Sequence, residues 1–392
     1  MKKVIYIGQL TDASGYGNAS RKYLSILDKY LDHNEYLLKV YNSSYERQNF
    51  ASEEENNMLK KYLLDGDELK EFIKTKDYTA IYHLLPTDCF LDAENYKNKI
   101  IYDNAKKAIN LSYWEADRLP VEWQKVFTNG TYDNVILACQ WNKEIYSKDC
   151  TADINVIPIP KHNRDIERTK NDVFTIFSMS QWQYRKGFDI LIKAFYQEFF
   201  EQEDVKLFIK TYRAEAGVGV DVNYQKQAIL QEATSYKMAV VHYEQKPKCK
   251  LEILTGVIPH EQIVDLYKKA DVFCLPTRGE GFGLTIADAA LYGIPCIVPD
   301  IGGHLDFLEL ENSFLVKSFY KPLENMYFKH FSSKDMNFIE TDILSLRKNL
   351  REAYNIWKND QQKLLNMGLA IKTHAKTYLD EKRVFNEFVK VL

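Results

Sequence analysis

Residues 277–306 read TRGEGFGLTIADAALYGIPCIVPDIGGHLD, and the fold follows from how this stretch is parsed. The apolar run before it, ADVFCLP at 270–276, predicts a buried strand that stops at a turn. Gly279, Gly281 and Gly283 then punctuate a loop that also holds Glu280 and Phe282. Leu284, Ile286, Ala287, Ala290 and Leu291 fall on one face of a predicted helix, which Gly293 ends. Residues 294–298 predict another strand, and Gly302-Gly303 a further tight loop.

A strand, a glycine loop and a helix N-terminus together suit a phosphate. The glycines let backbone N–H groups approach an anion, and the helix end adds partial positive charge. Glu280 in the loop and Asp288 one turn into the helix flank that cradle. A carboxylate is poorly suited to phosphate but well suited to accept hydrogen bonds from sugar hydroxyls. The combination predicts a ligand with phosphate in the middle and sugars on both sides, a nucleotide-sugar. Its predicted contacts are Glu280, Gly281, Phe282, Gly283, Leu284, Thr285 and Asp288. The alternative is an ordinary strand–helix turn with incidental acids.

At 392 residues the chain accommodates two domains. Its 45% hydrophobic and 27% charged content are those of a soluble globular protein, and a net charge of −3 implies no strong attraction to nucleic acid. The six cysteines, at 89, 139, 150, 249, 274 and 296, form no Cys-x-x-Cys pair. Neither a zinc site nor a disulfide framework is expected, and reduced thiols in a cytoplasm are the default. The apolar run after Lys2 and Lys3 is too short for a signal peptide, and no segment is long enough to span a membrane. Peripheral membrane contact stays open.

The first half opens with a predicted strand at 4–7, a glycine loop over 12–21 containing Gly15 and Gly17, and a helix with Tyr23, Leu24, Leu27 and Tyr30 on one side. No G-x-G-x-x-G is present. Residues 53–76 predict one or two surface helices, and 78–85 a strand with His83 near its end, either a packed core residue or a catalyst. Trp114 and Glu115 follow the strand at 107–111. A ring face beside a hydroxyl acceptor suits sugar binding, while a surface acid beside a buried Trp is the plain alternative. The polar stretch 161–172 predicts an interdomain linker. The second half opens with a strand at 174–179, a basic loop at 180–187 and a helix at 188–195. Beside a strand end, Lys186 predicts a phosphate contact, the plain alternative being a solvated surface, and Arg185 or Lys210 is the candidate second cation.

The stretch 277–306 resembles the E-x7-E motif of family 4 retaining glycosyltransferases, with Asp288 where the family has a second Glu. The resemblance covers the second half strongly and the first half weakly. It implies the GT-B fold: an α/β chain of two Rossmann-like domains facing a cleft, with the C-terminal helix crossing back to the first domain. The implied bounds are 1–160, a linker at 161–172, 173–375, and a crossover helix at 376–392. Glu280 then lies near the donor sugar, Asp288 holds the ribose, backbone at Ile258 meets the base, and Gly15 and Gly17 face the cleft. The family carries an Arg and a Lys on the 180–187 loop; Lys186 matches the Lys, while Ser180 or Gln181 stands where the Arg would be. Relatives commonly have a His after the strand at 107–111, whereas this chain resembles a subset with a Trp-Glu pair.

The implied reaction is transfer of a sugar from a UDP-, GDP- or ADP-sugar to a hydroxyl of a sugar, glycan, lipid or other acceptor, with retention. No metal is required, because protein charges take its place at the diphosphate, and no other cofactor is implied. Two rivals stay open: a glycosyltransferase acting on a nucleic-acid base, which the near-neutral charge disfavours, and a catalytically dead nucleotide-sugar-binding module, which the missing Arg and Asp288 would permit.

Overall fold

The structure is a computed structural model that describes residues 1–44, 49–87, 96–162, 165–213, 222–242, 244–323 and 335–392. Cys89 and residues 163–164 of the expected linker lie outside the described residues. The chain forms two compact units.

The first unit comprises Met1–His162, Leu323–Met336 and Leu379–Leu392. Among the described residues its strands are β1 (Lys2–Gly8), β2 (Tyr36–Asn42), β3 (Thr79–His83), β4 (Lys107–Leu111), β5 (Asn134–Leu137) and β6 (Asp153–Val156). All pair in parallel, in the order β2-β1-β3-β4-β5-β6. Inner strands such as β1 are near-continuous apolar runs because helices cover both faces of a parallel sheet. Those helices are α1 (Gly15–Tyr30), α2 (Glu53–Tyr62), α3 (Gly66–Lys74), α4 (Tyr96–Asn104), α5 (Val121–Thr128) and α6 (Gln140–Tyr146).

The expected loop over 12–21 is shorter than the sequence predicts, because α1 starts at Gly15. Ser14 caps it, its side chain accepting from the Gly17 N–H. Gly17 is needed for space: a Cβ there would sit 2.4 Å from the Asp12 carbonyl oxygen and 2.8 Å from that of Gln9. The last helix, α13 (Glu381–Val389), packs on α1, with Tyr23 against Phe388 and Tyr30 against Phe385. Lys29 Nζ lies 2.9 Å from Glu381 Oε2 in the same contact.

The second unit comprises Asn163–Pro322 and Asn337–Tyr378. Its parallel strands are β7 (Phe174–Gln181), β8 (Val205–Tyr212), β9 (Lys250–Thr255), β10 (Val272–Cys274), β11 (Cys296–Pro299) and β12 (Phe314–Val316), in the order β12-β11-β10-β7-β8-β9. A separate antiparallel pair joins β13 (Ser318–Pro322) to β14 (Asn337–Thr341). The helices are α7 (Phe188–Phe199), α8 (Val222–Met238), α9 (His260–Lys268), α10 (Leu284–Leu291), α11 (Ile343–Asn359) and α12 (Gln361–Tyr378). The core gathers Phe174, Leu191, Phe195, Leu207, Leu350 and Trp357.

After β7 the chain adds β8 and β9 on one side, then returns to place β10 on the other side of β7. The C-terminal ends of β7 and β10 therefore flank the point where winding reverses, which in open parallel sheets is the usual ligand crevice. Among the described residues no helix is long and apolar enough to cross a membrane. The described cysteines, Cys139, Cys150, Cys249, Cys274 and Cys296, are free thiols.

Candidate functional site

Two loops leave that reversal point. Residues 182–187 connect β7 to α7 and contain a 3-10 turn, Tyr184–Lys186. Residues 275–283 connect β10 to α10. They are joined along their length. The Arg278 N–H donates to the Arg185 carbonyl at 2.6 Å, and Thr277 Oγ1 donates to the same oxygen at 3.1 Å. Arg185 Nη1 returns a bond to the Gly279 carbonyl at 2.5 Å. Gly187 has φ +72, and a Cβ on it would lie 2.0 Å from the Pro276 carbonyl oxygen. Left-handed backbone and direct backbone contact both require glycine there.

This stitching brings Lys186 Nζ to 2.5 Å from Glu280 Oε1. Each residue is only 8% exposed. Burial pushes the Glu280 carboxyl up, but the charges of Lys186 and Arg185 and the Lys186 hydrogen bond outweigh it and hold the group below its ordinary range. The pair is thus a buried carboxylate and ammonium, which holds together only because each partner offsets the other's desolvation.

Glu280 is fixed from its other side as well. The Gly303 N–H donates to the Glu280 carbonyl at 3.2 Å. His304 is fully buried, and its Nε2–H donates to the Pro299 carbonyl at 2.8 Å, tying the Gly302-Gly303 loop to the end of β11. Desolvation lowers its imidazole pKa, so the ring is neutral. Gly283 starts α10 without a side-chain cap. Phe282 is buried against Phe307, and Gly281 is buried beside it. Leu284, Thr285 and Asp288 are half-buried on the first turns of α10, and the Thr285 carbonyl accepts from Tyr267 Oη at 2.9 Å.

Lys210 lies near the end of β8. It is buried, and its Nζ donates to the Gly256 carbonyl and, at 3.5 Å, to that of Thr211. Among the described residues it forms no ion pair, and desolvation lowers its pKa to about 8. Gly256 leads to the half-buried Ile258 in the turn before α9. Gln181, near the end of β7, donates to Tyr212 Oη at 3.1 Å.

His83, Glu115, Gly15 and Gly17 belong to the first unit. His83 ends β3 directly opposite Gly8 of β1. Its Nδ1 is 2.5 Å from Tyr6 Oη and 2.9 Å from Ser20 Oγ, and the rings of Tyr16, Tyr23 and Tyr113 surround it. Burial lowers its pKa to about 3. Of the two readings open for His83, these contacts are those of a packed residue. Trp114 is buried against Trp123 and donates through Nε1 to the Arg118 carbonyl at 2.5 Å, so it offers no open ring face to a sugar. Glu115 beside it is half-buried.

Arg278 and His304 are central to the second-unit site and were not singled out from sequence. His304 directly follows the Gly302-Gly303 pair, which is the one local signal that pointed to it.

Residues 161–322 match the family described as Glycosyl transferases group 1. An uncharacterized glycosyltransferase of Methanocaldococcus jannaschii is 23% identical over 198 residues, 50% of this chain and 45% of the relative. The glycogen synthase of Streptococcus sanguinis is 25% identical over 211 residues, 54% of this chain and 38% of the relative. The chain thus spans less than half the length of these curated relatives. Among solved structures, sucrose-phosphate synthase from Thermosynechococcus elongatus aligns with a TM-score of 0.65 at 12% identity, covering 100% of this chain and 98% of that one. An E. coli structure described as trehalose-6-phosphate bound with UDP-2-fluoro glucose aligns at 0.61 and 11% identity, covering 100% and 98%. Residues 161–322 are therefore similar to the glycosyl transferases group 1 family, in a chain whose two parallel-sheet units have the GT-B fold.

Proposed function

We propose that the protein is a glycosyltransferase that moves a sugar from a nucleotide-sugar donor to an acceptor hydroxyl, with retention and without a metal. The observation that carries this reading is the buried Lys186–Glu280 pair, set between the ends of β7 and β10 and beside the glycine-bounded start of α10. Lys186, with Arg185 or Lys210, neutralises the departing diphosphate, and the N-terminal amides of α10 add to that field. Glu280 accepts hydrogen bonds from the donor sugar and Asp288 from the ribose. Backbone at Ile258 meets the base. Gly15 and Gly17 of the first unit serve the donor phosphate and the acceptor, and Glu115 accepts from a sugar hydroxyl.

Among the described residues no carboxylate is posed as a nucleophile, so a covalent glycosyl-enzyme is not part of the proposal. The anomeric carbon's bond to the diphosphate oxygen breaks. The acceptor oxygen attacks from the same face, and its proton passes to the departing diphosphate. UDP-sugars are the first donors to try, since an E. coli neighbour is described with UDP-2-fluoro glucose bound. The test is a thermal-shift screen of UDP-, GDP- and ADP-sugars followed by a donor hydrolysis assay. A nucleotide-sugar that binds and releases its nucleoside diphosphate supports the reading. Binding without release points to a non-catalytic module, and no binding at all overturns it.

A further inference from the structure

The chain lacks the family's loop arginine, and Arg278, two residues from Glu280, is the obvious substitute for a diphosphate cation. The geometry points elsewhere. A guanidinium has five N–H donors. Nη1 donates to the Tyr184 carbonyl at 2.7 Å and to Asp189 Oδ1 at 2.7 Å. Nη2 lies 2.9 Å from Asp189 Oδ2 and 3.0 Å from Glu340 Oε1, and Nε lies 3.2 Å from Glu340 Oε2. Four of the five donors make hydrogen bonds, and Nη2 also meets Glu340 Oε1 as an ion pair. The guanidinium also stacks on the Tyr184 ring at 3.8 Å and is 4% exposed. Its charge is balanced as well: two carboxylates face Arg278, and Lys321 Nζ, 3.9 Å from Glu340, supplies the second positive charge. Nothing is left over for a phosphate.

We propose that Arg278 is a positioning residue for the reaction proposed above, holding Lys186 and Glu280 in register. The inference rests on that functional reading. Through its side chain Arg278 grips the 3-10 turn at Tyr184, the first turn of α7 at Asp189, and β14 at Glu340. Through its backbone it donates to the Arg185 carbonyl and accepts from the Ile339 N–H at 2.8 Å. Lys186 directly follows the Arg185 anchor, and Glu280 lies two residues after Arg278 itself. A rigid planar fork that reaches three elements at once is what a lysine or a glutamine cannot reproduce.

The experiment compares Arg278→Ala, Arg278→Lys and Glu340→Gln in the full chain, with guanidinium chloride at millimolar concentration as the rescuing probe. Displacements of about 1 Å in a catalytic constellation cost up to about 100-fold in rate. Arg278→Ala therefore loses about 100-fold in kcat with a smaller change in donor KM, Arg278→Lys loses nearly as much, and guanidinium restores Arg278→Ala by about tenfold. Guanidinium leaves Glu280→Gln unchanged. A kcat within about twofold of wild type, or no rescue, overturns the proposal. If Arg278→Ala does not fold, Glu340→Gln decides: it keeps the Asp189 fork, so a several-fold fall in kcat at unchanged Tm supports the role and an unchanged kcat overturns it. The 13C-carboxyl resonance of Glu280, assigned through Glu280→Gln, reads the ion pair without any turnover. If it shifts in Arg278→Ala while the wild type processes no nucleotide-sugar, the functional reading fails and the positioning role stands. If it does not shift, the positioning role fails.

Discussion

Gly187→Ala tests the loop-to-loop contact that assembles the site. The added methyl would sit 2.0 Å from the Pro276 carbonyl oxygen, whereas ordinary contact begins at 3.4 Å, so the overlap is about 1.4 Å. Neither partner is a flexible side chain. The left-handed φ of +72 adds about 1–2 kcal/mol for any L residue. Overpacking against fixed neighbours adds about 1–3 kcal/mol. The sum is about 2–5 kcal/mol lost from the second unit. Gly256→Ala is the internal control: its φ is +96, but nothing lies within 4 Å of its would-be Cβ, so it carries the backbone cost alone. Urea unfolding, read by hydrogen exchange of α7 amides, separates the two. Relief of the overlap also pushes residue 187 and Pro276 apart, which pulls Lys186 from Glu280 and lowers transfer by about 100-fold. Equal stability losses in the two variants, or a Gly187→Ala protein within about 0.5 kcal/mol of wild type, would refute the close contact.

Glu280→Gln leaves the Lys186 ammonium buried without its partner, at a cost of about 3–5 kcal/mol, and abolishes transfer while nucleoside diphosphate binding by calorimetry persists. The Glu280 pKa is depressed in the folded chain, so its stabilisation is complete above the ordinary carboxylate range and is lost as pH falls through the lower folded value. Acid unfolding curves should accordingly be shallower in Glu280→Gln than in wild type. Lys210 shifts the opposite way for a base: its folded pKa is about 8, below the unfolded value, so the unfolded chain binds the extra proton between them. Stability should rise with pH across that window in wild type and stay flat in Lys210→Met, which should also weaken diphosphate binding.

Much of this was legible locally. The run before Pro276, the glycines at 279–283 and the helix after them are spelled by side-chain spacing alone, and the observed β10 and α10 follow that spelling. Lys186 was picked out by Gly187, and Glu280 by its glycine neighbours. Their contact was not legible, since the partners are 94 positions apart and meet only because β10 pairs with β7. Arg278 was silent for the same reason: Asp189 and Glu340 are remote in sequence, and an arginine in a glycine loop looks solvated until its acceptors are known. The start of α1 was misplaced because glycines read as loop. In a first helical turn the amides have no intrahelical acceptor, so glycine costs little there, and Ser14 had already set the boundary. Trp114 suggested a sugar platform from its pairing with Glu115, but a large ring finds more contact inside a core than at a surface.

The packing of α13 on α1 imposes an order on biogenesis. Translation proceeds from the amino terminus, so every residue of the second unit leaves the ribosome before Phe385 and Phe388 do. Tyr23 and Tyr30 are therefore among the earliest aromatic side chains made, while their contacts with Phe388 and Phe385 are among the last to form. During that interval the nascent chain carries an uncovered greasy stripe, a natural foothold for a holding chaperone until the tail arrives.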